Sequence, residues 1–257
     1  MANENERIEE LLKNFQVKRV EPVKRPIDTK RLCEYQGMEE QLAHAEKILV
    51  GIGSEWRVDQ SAELCTEQSM QQSMEKIGGM GEAYRALAKL LEGKDYFIVT
   101  TNTDAQIFNY SLDASRIVAP CGNETWRQCS RTCTKDIWEP GEIPDDICPH
   151  CGAPLTGNTM DAAVYIEEGY LPQWQKYTHW LTTTLNQRLL ILELGEGFKT
   201  PTVIRWPFEK TVLFNQKSYM YRVNEKYAQL ADGMQERAVA VAENSAEWIV
   251  SVLNNFF

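Results

Sequence analysis

Short apolar runs alternate with amphipathic helical patterns along most of the chain. Runs of four to six residues predict buried strands at 47–51, 96–101, 116–119, 163–166, 189–194 and 219–223. Apolar residues at helical spacing predict helices over 4–15, 29–46, 82–91, 171–185 and 234–252. Regular exchange of helix and strand favours parallel pairing. The sequence therefore predicts an α/β fold, with a Rossmann-like parallel sheet and helices on both of its faces.

Two stretches depart from this alternation. Residues 59–76 are polar and rich in Gln, Ser and Met, which predicts a loose helical insertion near 59–80, and Gly78, Gly79 and Gly81 follow the polar stretch. Residues 121–156 combine cysteines, Gly, Pro and charged residues, the composition of a module held by metal rather than by an apolar core. We therefore expect a discontinuous α/β domain, formed by 1–120 and 157–257, with a small module at 121–156.

Four of the seven cysteines lie in that module. Cys129 and Cys133 form a C-x3-C pair, Cys148 and Cys151 form C-P-H-C, and fourteen residues separate the pairs. Two close pairs at this separation can deliver four thiolates to one tetrahedral ion, so we predict structural zinc with no open coordination position. The alternative is four buried reduced cysteines. His150, inside the second pair, is expected to face solvent or to support a ligand.

Charge and hydropathy narrow the class of protein. The formal charge of −10 argues against binding of nucleic acid, and we interpret the basic stretch at 18–31 as a solvated connector. No apolar run approaches the ~20 residues of a membrane helix, and the first residues are too acidic for a targeting presequence. An odd number of cysteines suits a reducing compartment. We expect a soluble cytoplasmic protein.

Polar and glycine-rich turns follow three of the predicted strands. They are Gly51-Ile52-Gly53-Ser54, Thr101-Asn102-Thr103-Asp104, and a Gly195-Glu196-Gly197 turn that leads to a helix start at Pro201. An open parallel sheet binds ligands at the carboxyl ends of its strands, where glycine turns let backbone N–H groups approach a pyrophosphate. Each turn alone also fits a plain strand-to-helix connection or an Asx-type cap. Together they predict one nucleotide crevice.

In this order the elements resemble the sirtuin family from Ala43 to the C-terminus. Gly51–Ser54 stands where the family has its Gly-Ala-Gly turn, and Thr101–Asp104 looks like its Thr-Gln-Asn-Ile-Asp motif. The four cysteines match its zinc ribbon, and Gly195–Gly197 stands at its Gly-Thr-Ser turn. The segments Leu192–Pro201, Cys148–Thr156 and Pro207-Phe208 look like the microbial macrodomain-linked class.

This resemblance implies NAD as ligand and ADP-ribosyl transfer as activity. Members of that class pass ADP-ribose to lipoylated carrier proteins, so a protein acceptor is implied here. The residues expected to contact NAD are Gly51, Gly53, Ser54, Asn102, Asp104, Gly195, Gly197, Phe198 and Asn224. Asn102 would orient the acceptor or a water, Asp104 would hold ribose hydroxyls, and Asn224 resembles the asparagine that meets the adenine ribose.

The departures from the family pattern bear on the chemistry. Cys121-Gly122 stands where deacylating sirtuins have His-Gly and the macrodomain-linked class has Gln-Gly, so deacylation loses its general base. Cys121 is a candidate catalytic residue, and a small buried thiol is the alternative. The family's Gly-Ile-Pro-Asp-Phe-Arg loop is replaced by Glu55-Trp56-Arg57, and Glu196 is expected to face away from the phosphates or to contact a ribose. The alternative functions are an NAD hydrolase and a catalytically inactive domain that binds NAD or ADP-ribose as a sensor or a scaffold.

Overall fold

A six-stranded parallel sheet forms the centre of the computed structural model, which describes residues 30–57 and 67–256. Its strands are β1 (Lys47–Ile52), β2 (Tyr96–Thr100), β3 (Ile117–Val118), β7 (Leu189–Leu194), β8 (Tyr219–Val223) and β9 (Ala238–Val241), and β4 to β6 belong to a second sheet described below. The strand order is β3-β2-β1-β7-β8-β9, and every neighbouring pair is parallel. The predicted α/β class and parallel pairing are confirmed.

Helices cover both faces of the sheet. They are α1 (Lys30–His44), α2 (Glu67–Leu90), α3 (Leu171–Thr182), α4 (Arg205–Phe214) and α5 (Ser245–Phe256). Alternate residues of β1 enter opposite cores: Ile48 packs with Leu87 of α2, whereas Leu49 packs with Phe208 of α4. A strand buried on both faces reads as a continuous apolar run rather than as an alternating one. That is why the sequence pattern identified these strands.

The chain order reverses beside β1. From β1 the chain builds outward to β2 and β3, and it then returns to place β7 on the other side of β1, followed by β8 and β9. In an open α/β sheet such a switch point leaves a crevice at the carboxyl ends of the two strands, because their connections depart in opposite directions. The switch point here lies between β1 and β7, next to Gly53 and Gly195.

A small antiparallel sheet interrupts the α/β order. Its strands are β4 (Gly122–Cys129), β5 (Ile137–Trp138) and β6 (Leu155–Thr159), in the order β5-β4-β6. The apolar centre of this module consists of Cys129, Trp138, Cys148 and Ala153. So small a cluster offers little apolar surface to bury, as expected for a unit that depends on metal.

Two elements differ from the prediction. Residues 163–166 form a bend followed by irregular backbone rather than a strand. The side chain of Gln128 binds their backbone groups: its Nε2 donates to the Val164 carbonyl (2.6 Å), and its Oε1 accepts from the Ile166 N–H (3.1 Å). The helix predicted over 234–252 begins only at Ser245. Its first part is instead the edge strand β9, whose apolar residues pair with β8.

The polar stretch at 59–80 and the helix predicted at 82–91 are largely one element. α2 runs unbroken from Glu67 to Leu90, so Gly78 and Gly79 lie inside a helix and not at its boundary. Glycine is tolerated there at a cost of roughly 0.5–1 kcal/mol relative to Ala. The helix predicted over 4–15 and most of the basic stretch lie outside the described residues. Within the part of the chain that the structure covers, no helix has the length and apolar content to cross a bilayer.

Candidate functional site

The carboxyl ends of three strands converge at the switch point. The N–H of Gly53 donates to the Leu194 carbonyl (2.9 Å), and the N–H of Thr101 donates to the Ile52 carbonyl (3.0 Å). On the outer side the N–H of Gly195 donates to the Val223 carbonyl (2.8 Å). Hydrogen bonding therefore continues beyond the strands and brings the three predicted turns to one edge of the sheet.

A crevice opens at this edge and encloses about 50 Å³. Its walls come from the three turns and from the start and end of the inserted module. The lining residues are Ser54, Arg57, Thr101, Asn102, Thr103, Cys121, Met160, Asp161, Glu196, Gly197, Lys199 and Thr200. Most are polar or charged, and the predicted residues Ser54, Asn102, Cys121 and Gly197 are among them.

Asn102 is buried in the wall of the crevice, and its side chain and its backbone each make a hydrogen bond there. Its Nδ2 donates to the Gly53 carbonyl (3.0 Å), and its backbone N–H donates to the Thr100 hydroxyl (3.1 Å). These bonds tie the end of β2 to the first glycine turn. The side chain is therefore fixed in position before any ligand arrives, which a group that orients a reactant requires.

Asp104 has a different place. Its Oδ1 accepts from the N–H of Gln106 (3.2 Å), and Ala105 between them has a left-handed backbone with φ of 59°. This is the Asx-type turn that the sequence left open as an alternative. Among the described residues that line the crevice Asp104 is not included, so its assignment to a ribose stays a prediction.

The glycines act through close approach of backbone. A Cβ on Gly53 would lie 2.3 Å from the Glu196 Cα, and a Cβ on Gly51 would lie 2.5 Å from the Ile204 side chain. Gly51 is thus required for packing of the sheet against Ile204 and α4, whereas Gly53 lets two strand ends touch. Gly195 has φ of +70°, the left-handed region that favours glycine.

Glu55 braces the site, and sequence reasoning missed it. Its Oε1 accepts from the Glu225 N–H (2.8 Å), and its Oε2 accepts from the hydroxyl (2.6 Å) and N–H (3.1 Å) of Ser245. Ser245 begins α5, so the carboxylate also lies at the positive end of a helix dipole. The signal in the sequence was an acid directly after the glycine turn. The Glu55 carboxylate thus joins the first turn to the segments that follow β8 and β9.

Glu196 points into the crevice. Its Oε2 accepts from the Thr101 hydroxyl (2.8 Å), and the residue is only 2% exposed. Of the two expectations for this side chain, that it faces away is wrong, because the left-handed Gly195 turns the following residue toward β2. Contact with a ribose stays a prediction. Burial raises the pKa of the Glu196 carboxyl to about 7, and the Thr101 hydrogen bond opposes that rise.

Cys121 also lines the crevice, at the entry to β4. It is 3% exposed, and burial, with the nearby charge of Glu196, raises the pKa of its thiol to about 11. A thiol with that pKa is protonated at neutral pH and is a poor base or nucleophile. The small buried thiol that the sequence offered as an alternative describes Cys121 better.

Asn224 and Phe198 lie outside the crevice lining. The Nδ2 of Asn224 donates to the Glu196 carbonyl (3.1 Å), and its Oδ1 accepts from the N–H groups of Lys226 and Tyr227. Asn224 therefore fixes the loop that carries Glu196. The ring of Phe198 is exposed on one side and lies 4.4 Å from the guanidinium of Arg205 on the other.

A buried network of charged side chains stabilises the turn that contains Glu196. Arg222 donates to both carboxylate oxygens of Glu193 (2.7 and 2.8 Å), and it also reaches Glu209 (2.8 Å). Arg205 lies 3.4 Å from Glu193 and donates to the Glu196 carbonyl (3.3 Å). The sequence signal for this network was Glu193 within the apolar run of β7, because a buried carboxylate needs charged or hydrogen-bonding partners.

The four module cysteines come together as predicted. Their sulfur atoms all lie within 4.8 Å of one another, with Cys129 and Cys151 at 3.6 Å and Cys133 and Cys148 at 3.5 Å. Zinc at ~2.3 Å from each sulfur in a tetrahedron implies sulfur–sulfur separations of about 3.8 Å. The set is compatible with zinc. His150 faces Asp136 (2.9 Å), outside the set of four.

A larger cavity of about 530 Å³ lies at the opposite edge of the sheet, near the starts of β1 and β7. Its walls include Gln41, His44, Arg188 and Lys217. Ligands of open α/β sheets bind at the carboxyl ends of strands, and this cavity lies at the amino ends. The smaller crevice is therefore the candidate site.

Comparison with solved structures identifies the architecture. A Sir2 homologue in complex with NAD superposes with a TM-score of 0.54 at 14% identity, covering 86% of this chain and 93% of that one. A Sir2 homologue mutant in complex with ADP-ribose gives the same score and covers 85% of this chain and 95% of that one. The chain has the sirtuin fold.

Curated sequences extend this result. A protein named protein ADP-ribosyltransferase from Staphylococcus aureus (strain Mu50 / ATCC 700699) is 28% identical over 194 residues, covering 68% of the sirtuin-fold chain and 62% of the relative. A probable bifunctional ADP-ribose hydrolase/ADP-ribosyltransferase from Fusarium oxysporum f. sp. cubense is 28% identical over 150 residues, covering 47% of this chain and 24% of that relative. The chain thus spans less than two thirds of either relative. No family model matches it.

Proposed function

We propose that this chain is an NAD-dependent protein ADP-ribosyltransferase. The observation that carries the proposal is the buried Asn102, fixed at the point where three strand ends meet in a sirtuin fold. The names of the two curated relatives agree with it. In this reaction nicotinamide leaves the anomeric carbon of NAD, and a protein side chain takes its place.

The residues present suit such a displacement. Its transition state has oxocarbenium character and needs positioning and fixed dipoles more than covalent help from the protein. The backbone N–H groups of the turns at Ser54 and Gly197 would hold the diphosphate, with Lys199 and Arg57 as nearby positive charges. Asn102 would orient the attacking group at the reactive ribose.

The size of the crevice adds a requirement. Pockets for drug-sized ligands typically measure roughly 300–1,000 Å³, whereas this one encloses about 50 Å³. A dinucleotide would therefore enter only with rearrangement of the side chains at the mouth, of which Lys199 and Met160 are both exposed. We expect this rearrangement to involve side chains and not the hydrogen-bonded strand ends.

We further propose that the four cysteines hold a structural zinc ion. Cys129, Cys133, Cys148 and Cys151 would complete its coordination and leave no position for water or substrate. The ion would stabilise the module, which begins at Cys121 and is followed by Asp161 at the crevice, and it would have no part in the chemical step.

The second candidate function is a sensor that binds NAD or ADP-ribose without turnover. The raised pKa of Cys121, at the position of the family's general base, favours it. Nicotinamide release from NAD by the purified protein decides between the two. The proposal expects release above buffer and a loss of about 10²-fold in Asn102→Ala, the scale reported for removal of one fixed dipolar group at an active site.

Asn109→Ala is the matched control, because Asn109 is exposed and outside the crevice. It should release nicotinamide at the wild-type rate. If wild type and both variants equal buffer while NAD still raises the melting temperature, the sensor function is correct. If the wild type releases no nicotinamide and NAD does not raise its melting temperature, both functions are wrong.

Transfer and hydrolysis are separated by the fate of the ribose. With NAD labelled in the ADP-ribose part, a transferase leaves label on protein, and an NAD hydrolase leaves only free ADP-ribose. The resemblance to the macrodomain-linked class makes a lipoylated carrier protein the first acceptor to test, against the same carrier without lipoate. Equal labelling of the carrier with and without lipoate would show that lipoate does not determine the acceptor.

A further inference from the structure

Glu196 places a carboxyl group in the crevice, where the proposed ADP-ribosyl transfer has no other assigned general base. Thr101 donates to its Oε2 (2.8 Å), and among residues 30–57 and 67–256 no hydrogen bond reaches its Oε1. Its backbone carbonyl accepts from Asn224 and Arg205, so the backbone at this position cannot shift without breaking those bonds. One carboxylate oxygen is therefore fixed and the other is available to a ligand in the crevice.

The transfer reaction requires a proton acceptor. As the bond forms between the acceptor atom and C1′ of the ribose, the bond from C1′ to nicotinamide breaks and its electron pair stays on the nicotinamide nitrogen. Nicotinamide leaves as a neutral molecule, so the proton of the attacking group must go elsewhere. An amide such as Asn102 cannot take it, and the Cys121 thiol is already protonated.

Two carboxylates line the crevice, and they differ in burial. Asp161 is exposed, whereas Glu196 is 2% exposed. A buried carboxyl resists ionisation, so its basicity lies closer to that of the histidine it would replace.

We propose that Glu196 is the proton acceptor of the ADP-ribosyl transfer, taking the proton of the attacking group on Oε1 while Thr101 holds Oε2. The inference rests on the proposed function and names a residue that the family resemblance does not assign.

The groups around Glu196 agree with this assignment. Burial raises the pKa of its carboxyl to about 7, the range in which a general base acts best at neutral pH. The hydrogen bond from Thr101 and the charge of Arg205 lower the pKa, and the charge of Glu193 raises it. The other charged or titratable groups that line the crevice are Arg57, Cys121, Asp161 and Lys199.

The test is the pH dependence of kcat and KM for nicotinamide release, in the full chain with the acceptor present. Because the carboxylate is the active form, kcat of the wild type should rise with pH through about 7. Glu196→Gln should lower kcat about 10²-fold or more, remove that rise and leave KM within about 3-fold. Glu225→Gln, on an exposed loop, is the matched control and should behave as wild type.

A second variant keeps the test independent of the first. Thr101→Val removes the hydrogen bond that favours the charged carboxylate, so the midpoint of the kcat profile should move to higher pH. Circular dichroism of each variant checks that it is folded, and Glu196→Asp should restore part of the rate with its own pH dependence.

The outcomes separate this inference from the proposed function. If the wild type releases nicotinamide and Glu196→Gln keeps its kcat and its pH profile, Glu196 is not the proton acceptor and the transferase proposal stands. If Glu196→Gln lowers KM with kcat unchanged, the carboxylate only repels the diphosphate and the inference is wrong. If the wild type releases no nicotinamide at any pH, both proposals fall.

Discussion

Gly53 and Glu196 set the shape of the crevice at the residue scale. The glycine turn was visible in the sequence, but its reason was not, because the Cβ-free face of Gly53 is occupied by the backbone of Gly195 and Glu196, far away along the chain. In the same way the sequence showed an acid at 196 and could not give its direction. That direction follows from the left-handed φ of Gly195 and the hydroxyl of Thr101.

Gly53→Ala should destabilise the protein. The added Cβ would lie 2.3 Å from a backbone atom, so the strand ends must separate, and we expect a loss of about 1–3 kcal/mol in the free energy of unfolding. Gly78→Ala is the control, since its Cβ meets nothing and helix propensity improves by about 0.5–1 kcal/mol. Urea unfolding measures both. A Gly53→Ala protein as stable as wild type would contradict the close approach.

Glu196→Gln should stabilise the folded chain at high pH. The pKa of Glu196 is raised in the folded state, so between the unfolded pKa near 4.5 and about 7 the folded chain binds more protons and wild-type stability falls as pH rises. The variant lacks this loss. At pH 8 it should be more stable by up to about 3 kcal/mol, and at pH 4 by little. Urea unfolding at both pH values measures the difference.

The opposite pH trend would mean that the Glu196 carboxylate is stabilised in the folded state. Glu225→Gln, at an exposed carboxyl, should unfold like wild type at both pH values.

At the element scale, strands buried on both faces were the most predictable parts. β1, β2, β7 and β8 read as continuous apolar runs, and their bounds differ from the predicted ones by at most one residue. The run at 163–166 looked the same, but the polar side chain of Gln128 satisfies its backbone groups. β9 was read as part of a helix because Ala238 and Val241 also fit helical spacing. Short apolar runs do not distinguish these outcomes without their tertiary partners.

Glu193→Gln should lower the free energy of unfolding by weakening the ion pair between β7 and β8. It leaves Arg222, which is 1% exposed, with a neutral partner in place of a bidentate carboxylate. Removing one member of a buried ion network typically costs about 3–5 kcal/mol. Chemical denaturation against Glu225→Gln measures this loss. A change below about 1 kcal/mol would show that the network contributes little to stability.

At the scale of the whole molecule, the strand reversal at β1 and the inserted module together make the crevice. The sequence order of strands and turns was enough to predict convergence, because parallel strands end at one edge. It did not predict how nearly the crevice closes, since Cys121 and Met160, at the two ends of the small antiparallel sheet, line it. That depends on how the small antiparallel sheet packs against the large one.

Metal removal tests the module. A strong chelator should release about one zinc ion per chain and lower the melting temperature, because binding to a four-thiolate site contributes directly to folding. Cys148→Ser should bind less metal, whereas Cys121→Ser, outside the cluster, should keep its full content. Metal analysis by mass spectrometry measures the content. A wild-type protein purified without zinc and stable to the chelator would contradict the metal site.

The central claim is that one crevice at the switch point holds the dinucleotide with Asn102 beside its reactive sugar. A crystal structure of the chain soaked with ADP-ribose tests it most directly. The account predicts the diphosphate against the turns at Ser54 and Gly197, the terminal ribose within hydrogen-bond reach of Asn102, and displaced side chains at Met160 and Lys199. Ligand density at the opposite edge of the sheet, with the crevice still closed, would contradict it.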